Sequence, residues 1–550
     1  MYEPASAGYE KVIAAMSRPS SPPAQVSERS PLLQNAEQHA TAIKIPERPQ
    51  QWMHSKAIAL TMVLMIFLAS SSDGLSDTPN ARILESILCY RYWEATDPTK
   101  IRLGRETIGP GAIGGVPERF CKVDVVQSQL ASLRGWQQTF EGFPSLLLAI
   151  PFGYLADRYG RKPFMLLGMV AFVWKGVCVQ LVCWFWQAFD VRLIWLSSSY
   201  TFAGGNNTTV AILLTILADI TAEGERAAYF MQAAAGSMLS QLVMPPIAAG
   251  LMNYNPWIPS MLGAVVVLLS LIPAVFIPET LNYRGKSILC DSRPPTPPPD
   301  DLPPPSSVVG NRPNPLMPSY AVRALTSIRD ATAFLTNDWR VPAIITTFAC
   351  HFVVAAANPF LVQYISRRYE VTLSTSTLVL TVYNSVKVAL LFGLLPLLSE
   401  AIMRCLHLSD QQKDLYLSRA SQLFVVAGFL LVALSPNIPT VAISLGIASL
   451  GQGSTLLARS FLTSLLPAHN IARAYSIIAI SETLGFMAGG PLLAASFKKG
   501  MSLGGLWIGL PWYIISGFGL VVAILYLCVG LRPEERKTLV AEGSEEECEA

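Results

Sequence analysis

The chain has 550 residues, of which 51% are hydrophobic and only 14% are charged, and its formal net charge is +3. Soluble proteins carry about 25% charged residues, so this composition, with a mean hydropathy of +0.41, excludes an ordinary soluble protein. The charge pattern has no basic stripe for nucleic acid. The nine cysteines are too scattered for a disulfide scaffold or a metal site.

The first 56 residues are polar and lack an apolar core behind a basic end, so we expect a disordered cytosolic tail rather than a cleaved signal peptide. Within this tail, "ERSPLLQ" has the acidic-dileucine spacing, with Glu28 placed before Leu32 and Leu33. Sorting adaptors bind such extended peptides, which would direct the protein to a vacuolar or endosomal membrane. A chance match is the alternative, with the plasma membrane as the default location.

Twelve apolar runs of membrane-spanning length follow, and we number them spans 1 to 12. They cover residues 57–79, 128–153, 163–186, 192–218, 227–251, 257–278, 341–365, 374–400, 415–434, 440–464, 472–495 and 505–530. The sequence therefore predicts an all-α polytopic membrane protein with six spans in residues 57–282 and six in residues 341–531.

The segment between the two sets of spans, 283–340, is rich in proline and is expected to be a disordered linker. Its last part, 319–338, has the pattern of a short amphipathic helix. An acidic tail, 532–550, ends the chain. An even number of spans places both tails and the linker on one side, and the positive charges near the first six spans indicate that this side is cytosolic.

The long loop 86–127 on the opposite side contains Cys89 and Cys121. In an oxidising compartment such a pair can form a disulfide, and two free thiols are the alternative reading.

A dense group of charges lies between spans 2 and 3, in "PFGYLADRYGRKPF". Its pattern resembles the signature loop of the major facilitator superfamily. The matching positions are Gly153, Leu155, Asp157, Arg158, Gly160, Arg161 and Lys162. The resemblance implies two six-helix bundles around a central cavity that opens alternately to each side.

Stretches such as "LADITAEGERAAYF" and "MPPIAAGLM" are similar to a fungal group of facilitators that distantly resembles proton-coupled folate and thymic stromal cotransporters. The glycine-spaced pattern that many drug–proton antiporters carry in helix 5 is absent from "GSMLSQLVMPPIAAG". The resemblance therefore does not imply antiport.

The resemblance also implies a conformational latch at the signature loop. Asp157 would accept hydrogen bonds from Arg161 and Arg226, Asp219 would complete the network, and the start of helix 11 near 471–474 would dock against it. Such a latch would hold the two bundles together when the cavity faces outward. A weaker second copy is predicted at Asp414 and Arg419.

Ionisable groups within spans are costly and indicate function, although each could instead form a structural ion pair. The predicted substrate and proton pathway consists of Asp73, Glu141, Asn206, Asn207, His351, Lys387, Gln452, Arg459 and Glu482. We expect Lys387 to pair with Glu482. Lys175 lies on span 3, which is peripheral in the superfamily, so we expect it to snorkel or pair locally.

These observations predict a monomeric secondary transporter of a small organic solute, embedded in the lipid bilayer and without cofactor, metal or nucleic-acid partner. No catalytic motif favours an enzyme, and "YRGKS" at 283–287 lacks the first glycine of an ATP-binding loop. Proton coupling and export of a metabolite or toxin are the favoured reading. An uptake permease and a non-transporting sensor on the same fold are the alternatives.

Overall fold

The computed structural model describes residues 49–101, 116–221, 223–280, 335, 338–406 and 410–530. The predicted sorting motif of Glu28, Leu32 and Leu33, most of the linker and the acidic tail lie outside these residues. The described chain is almost entirely helical. We label the spans α1 to α12.

The first six spans form the N-terminal half of the described chain. They are α1 (Pro49–Thr96), α2 (Asp124–Tyr159), α3 (Arg161–Trp184), α4 (Gly205–Ile220), α5 (Glu223–Met252) and α6 (Trp257–Phe276). A short 3-10 helix, Glu118–Cys121, precedes α2, and a longer one, Val191–Ala203, leads into α4.

The last six spans form the C-terminal half, and three of them are interrupted. They are α7 (Arg340–Ala355 and Asn358–Arg368), α8 (Leu373–Ala389 and Leu395–Leu406), α9 (Asp410–Leu434), α10 (Ile438–Leu450 and Ser454–Leu465), α11 (Ala468–Leu503) and α12 (Leu510–Cys528). The two parts of α8 are joined by a π-helical turn, Leu390–Leu394.

Ten of these helical segments are long and apolar enough to cross a membrane, and the bent pair that makes α7 adds an eleventh within the described residues. The remaining predicted span, 128–153, lies within the 36-residue α2. Helix α2 is long enough to cross a membrane, but its charged and polar residues keep it out of the set of apolar candidates. Every predicted span thus corresponds to a helix, which confirms the predicted fold class.

Local sequence accounts for the interruption of α7 and for the start of α4. Helix α7 bends by 41° where Asn358–Pro359 follows three alanines, because proline supplies no N–H to the preceding turn. The 3-10 segment before α4 ends at Gly204 and Gly205, whose φ angles of 103° and 67° favour glycine. Both irregular points border the cavity described below, which is where a membrane protein tolerates unpaired backbone.

The two halves contact each other through α2 with α11 and through α5 with α8. Glycines allow the first contact to be close. A Cβ atom on Gly490 would lie 2.5 Å from the carbonyl oxygen of Gly135, and a Cβ on Gly135 would lie 2.7 Å from that of Gly490. Two helix backbones meet at this point, as small residues permit in membranes.

Candidate functional site

The spans have two ends, which we name after residues that lie there. The disulfide end carries Cys89 and Cys121, which the structure joins in a disulfide. The signature end carries the loop Asp157–Lys162. Helix α1 reaches far toward the disulfide end: its Lys56–Thr96 part has 41 residues and is about 60 Å long, twice the thickness of the hydrocarbon core.

At the signature end, Arg161 holds two carboxylates. Its guanidinium lies 3.1 Å from Asp157 on the same loop and also pairs with Asp219 at the end of α4. Arg161 is buried, whereas the Asp157 side chain is 67% exposed. The network therefore ties α2, α3 and α4 together within the N-terminal half and leaves Asp157 accessible for a further contact.

A carboxylate that the sequence analysis missed completes this loop. Glu279, just after α6, accepts the backbone N–H groups of Arg161 at 2.9 Å and Lys162 at 3.1 Å, which caps the start of α3. The same carboxylate explains Gly160, since a Cβ there would lie 2.6 Å from Glu279 Oε2. Glu279 lies more than a hundred residues after the loop in the sequence, so no local sequence pattern connects the two.

The other predicted latch residues have separate surroundings. Lys162 donates to the Val275 carbonyl at 2.8 Å, Arg158 lies 5.5 Å from the Tyr159 ring, and Gly153 faces open space. The predicted hydrogen bond from Arg226 to Asp157 was wrong for this conformation. Arg226 Nε is buried without a hydrogen-bond partner, and the Asp157 and Asp219 carboxylates both pair with Arg161 instead.

A cavity of about 280 Å³ lies among α1, α2, α3 and α4, and Pro359 of α7 and Phe486 of α11 contribute to its wall. Its charged lining residues are Asp73, Asp77, Arg134, Glu141 and Lys175. Its neutral polar lining includes Ser70, Ser72, Ser76, Asn80, Gln137, Gln138, Gln180, Asn206 and Thr209. Such a mixture of apolar wall and few polar groups is typical of a small-molecule site.

Two ion pairs cross this cavity. Arg134 of α2 pairs with Asp77 of α1, and Lys175 of α3 lies 3.4 Å from Glu141 of α2. The Lys175 ammonium also lies 4.8 Å from the centre of the Tyr200 ring. Lys175 thus forms a local pair, as predicted. It lines the cavity, however, whereas its span was expected to be peripheral.

Of the four predicted pathway residues in the N-terminal half, three line the cavity and one does not. Asp73, Glu141 and Asn206 line the cavity. Asn207 is exposed and is not part of the cavity wall, because successive residues on a helix point about 100° apart. The sequence analysis did not select Asp77, although it lies one helical turn after Asp73 and shares its face.

The predicted pair of Lys387 with Glu482 was wrong. Glu482 of α11 pairs with Arg459 of α10, and no ion pair between described residues includes Lys387. Helix α8, which carries Lys387, packs against α5, α7 and α10, whereas α11 packs against α2, α7 and α12. Helices α8 and α11 both contact α7 but do not pack closely against each other, and Lys387 therefore does not pair with Glu482.

The other two predicted pathway residues of the C-terminal half, His351 and Gln452, do not line the cavity. His351 is buried and its Nε2 atom lies 3.4 Å from the Tyr526 hydroxyl of α12, which also lies 3.3 Å from Thr347. Gln452 lies at the break of α10 and donates its backbone N–H to the Ser449 carbonyl.

The predicted second copy of the latch, Asp414 and Arg419, is not formed: these two residues make no described pair with each other. Arg419 instead donates to the carbonyls of Tyr526 and Val529 at the end of α12.

The cavity is closed at the disulfide end by contacts between the halves. Arg134 donates to the Pro359 carbonyl at 3.4 Å, and Gln138 donates to the Ala356 carbonyl at 3.2 Å. Both carbonyls lie at or beside the break of α7, so side chains of α2 hold this irregular part of α7 against the N-terminal half. Thr139 adds a bond to the Met487 carbonyl of α11 at 3.0 Å.

Beyond the cavity, a group of residues that we call the disulfide cluster fixes the loop before α2. The Lys122 ammonium lies 2.8 Å from Glu85 and 2.9 Å from Glu118, and Arg82 lies 3.3 Å and 3.2 Å from the same two carboxylates. Gln127 donates to Glu85 at 2.6 Å. With the disulfide, these contacts join the end of α1 to the start of α2.

The disulfide cluster also contacts the C-terminal half. Glu118 Oε1 accepts the Leu373 N–H at the start of α8, at 2.7 Å, and Gln363 of α7 donates to the Gln127 side chain at 2.9 Å. Burial alone would raise the pKa of Glu118, but the Arg82 and Lys122 cations outweigh it and hold that pKa below its ordinary value. Glu118 is therefore an anion that caps a helix of the other half.

The hydrogen bonds and ion pairs that join the halves between described residues lie at the disulfide end or near the middle of the spans. Near the middle of the spans, Asn384 donates to the Gln241 carbonyl at 3.3 Å and Thr139 donates to the Met487 carbonyl at 3.0 Å. Toward the signature end, Ile150 and Tyr154 of α2 are 76% and 63% exposed, and Tyr475 of α11 is 42% exposed. No group of three or more metal-binding side chains occurs among the residues placed by the structure.

A profile of the Major Facilitator Superfamily matches residues 128–490. The chain is 29% identical to the MFS efflux pump atnC of Emericella nidulans, over 90% of this chain and 93% of that protein. It is 30% identical to the MFS-type transporter aprT of Aspergillus flavus, over 89% and 91%.

Two solved structures have the same fold. The nucleoside transporter NupG superposes with a TM-score of 0.53 at 12% identity, over 86% of this chain and 98% of NupG. A D-xylose-proton symporter superposes with a TM-score of 0.54 at 11% identity, over 86% and 97%. Since the superfamily profile matches more than half of its length, this chain belongs to the Major Facilitator Superfamily and is a multi-pass membrane transporter.

Proposed function

We propose that the protein exports a small organic solute by alternating access, driven by the proton gradient. The observation that carries the proposal is the cavity. Contacts between the halves close it at the disulfide end, whereas no hydrogen bond or ion pair between described residues joins the halves at the signature end. A transporter in this conformation can load its solute from the signature end. The names of the two relatives above describe an efflux pump and a transporter, which favours export over uptake.

The signature end is assigned to the cytosol in this proposal. Two arguments support the orientation: the positive charges of the loop between α2 and α3 favour the cytosolic side, and a disulfide persists in an oxidising compartment. The membrane is then the plasma membrane, or a vacuolar or endosomal membrane if Glu28, Leu32 and Leu33 form an active sorting signal. In the second case, export would be sequestration into an organelle.

Transport requires the two ends to exchange roles. The contacts of Arg134, Gln138 and Glu118 with the C-terminal half must break, and the halves must meet at the signature end. Asp157 is exposed and already oriented by Arg161, so it can accept a contact from the start of α11. The latch is thus open in the present conformation and would close in the opposite one.

Proton coupling is assigned to the cavity carboxylates Asp73 and Glu141, which lie within spans. Protonation removes their charge and so changes the cost of moving them between environments. One chain supplies all the walls of the cavity, and therefore a monomer is sufficient for this mechanism.

Comparative metabolite profiling of cells with and without the gene tests the function. We expect one or more solutes to remain inside cells that lack the protein and to leave the cytosol in cells that contain it. Collapse of the proton gradient with a protonophore should abolish that difference. Identical metabolite distributions in the two cell lines, with the protein present in the membrane, would contradict export.

A further inference from the structure

The charges that line the cavity do not balance. Three carboxylates, Asp73, Asp77 and Glu141, face two cations, Arg134 and Lys175. With all five groups ionised, the wall therefore carries one excess negative charge.

The excess is located at one residue. Arg134 is paired with Asp77, and Lys175 with Glu141. Asp73 makes no ion pair or hydrogen bond with any other residue in the described part of the chain, and its side chain is open to the cavity. The cation whose charge reaches Asp73 is Lys175, which is already paired with Glu141. Asp73 is therefore the one acidic group of this wall without a counter-charge of its own.

An ionised carboxylate within a membrane span is costly unless an opposite charge lies close to it. A solute with an ammonium group supplies that charge when it enters the cavity. A neutral solute leaves the carboxylate uncompensated, and an anionic solute adds repulsion, since like charges at short range in a poorly hydrated site cost free energy.

The rest of the wall suits the apolar body of such a solute. Phe172 and Met169 of α3 and Phe486 of α11 line the same cavity as Asp73. Aromatic rings pack against apolar groups and also attract organic cations through their faces. The volume of about 280 Å³ restricts the occupant to a small molecule.

We propose that this cavity selects small organic cations, which place an ammonium group beside Asp73 and an apolar body against Phe172 and Phe486. This inference rests on the proposed function, because it takes the cavity as the transport site, and it narrows the solute to one chemical class. Asp73 acts here as the binding counter-ion of the solute.

Three probes of nearly the same shape test the class: 2-naphthylmethylamine, 2-naphthylmethanol and 2-naphthoate. Binding to the purified full-length protein in lipid nanodiscs is measured by equilibrium dialysis at neutral pH. We expect the amine to bind about tenfold more tightly than the alcohol, equivalent to about 1.4 kcal/mol, and the carboxylate to bind most weakly. Asp73→Asn should abolish the preference for the amine while the alcohol still binds, which shows that the variant is folded.

The matched control is Glu94→Gln, which neutralises an exposed carboxylate on the same helix α1, outside the cavity. It should leave the preference unchanged. Equal affinities for the three probes, tightest binding of 2-naphthoate, no binding of the amine, or an unchanged preference in Asp73→Asn would each overturn the inference. Metabolite profiling separates this result from the proposed function, because export of a neutral or anionic solute would disprove the cation class and leave the transporter intact.

Discussion

The two ends of the molecule are built from different kinds of contact. At the disulfide end, an ion pair between Arg367 and Asp124 and several hydrogen bonds connect the halves. Glu118, Gln127 and Arg134 each bond to a residue of α7 or α8. At the signature end, the described ion pairs of Arg161 remain within the N-terminal half. One end is thus closed and the other is prepared for closure.

The difference shows which contacts hold each end together within its own half. The loop at the disulfide end is held by a disulfide and a buried charge cluster, so it can move as one body when its few contacts with α7 and α8 break. The loop at the signature end is held by Arg161 and Glu279, which leaves Asp157 exposed for a partner. Each end is rigid within its half and separable between the halves, as alternating access requires.

The largest expected effect comes from removal of the disulfide. Cys89→Ser/Cys121→Ser opens a covalent loop with a sequence separation of 32, which corresponds to about 3–4 kcal/mol in the chain-entropy description. We expect a lower melting temperature and a loop before α2 that proteases can cleave. Cys528→Ser, at an exposed free cysteine, is the control, and an equal melting temperature in both variants would contradict a structural role of the bridge.

The second comparison concerns the glycine contact between α2 and α11. In Gly490→Ala the new Cβ would meet the Gly135 backbone at 2.5 Å, and overpacking of this kind costs about 1–3 kcal/mol. We expect the disulfide end to open more readily and export to fall about tenfold. Gly517→Ala on α12 faces open space and should export normally. Normal export by both variants would show that this close approach is not required.

At the signature end, Asp157→Asn preserves size and removes the charge. We expect the melting temperature of the present conformation to change little, because the side chain is 67% exposed. Export should fall several-fold, since a lost charge-assisted contact of about 1.5–3 kcal/mol shifts the equilibrium away from the closed signature end. Export at the original rate by a well-expressed variant would remove Asp157 from the latch.

The smallest effect is expected at Glu118. Because its pKa is held below the ordinary value, its contribution to closure is present above that ordinary value and is lost only as the pH falls through the lowered pKa. The disulfide end should therefore stay closed in mildly acidic medium. Glu118→Gln should weaken closure a few-fold and remove this acid-induced step.

Thiol labelling of a cysteine introduced at Gln363 measures this opening, with Glu94→Gln as the control. A pH profile of labelling that is the same in Glu118→Gln and in the unmodified protein would exclude Glu118 as the titrating group.

The positions of the helices were predictable from the sequence, whereas the side-chain contacts between different helices were mostly not. Twelve apolar runs identified the spans because length and hydropathy are local properties, and the pair Cys89–Cys121 followed from one polar loop. The partner of Glu482 was missed, since helical periodicity shows which residues share a face and not which neighbouring span that face meets. Glu279 and the roles of Asp77 and Lys175 depend on packing among α1, α2, α3 and α6, which one sequence does not encode locally.

Distances between paired spin labels at the two ends are the most direct test of alternating access between the disulfide end and the signature end. One pair is placed at Tyr154 of α2 and Tyr475 of α11 at the signature end, and the other at Val125 of α2 and Leu503 of α11 at the disulfide end. The free cysteines are replaced by serine and the disulfide is kept. When the transported solute or a change of pH shifts the population, we expect the first distance to shorten while the second lengthens. Two distances that change in the same direction, or a signature end that never closes, would contradict alternating access between these ends.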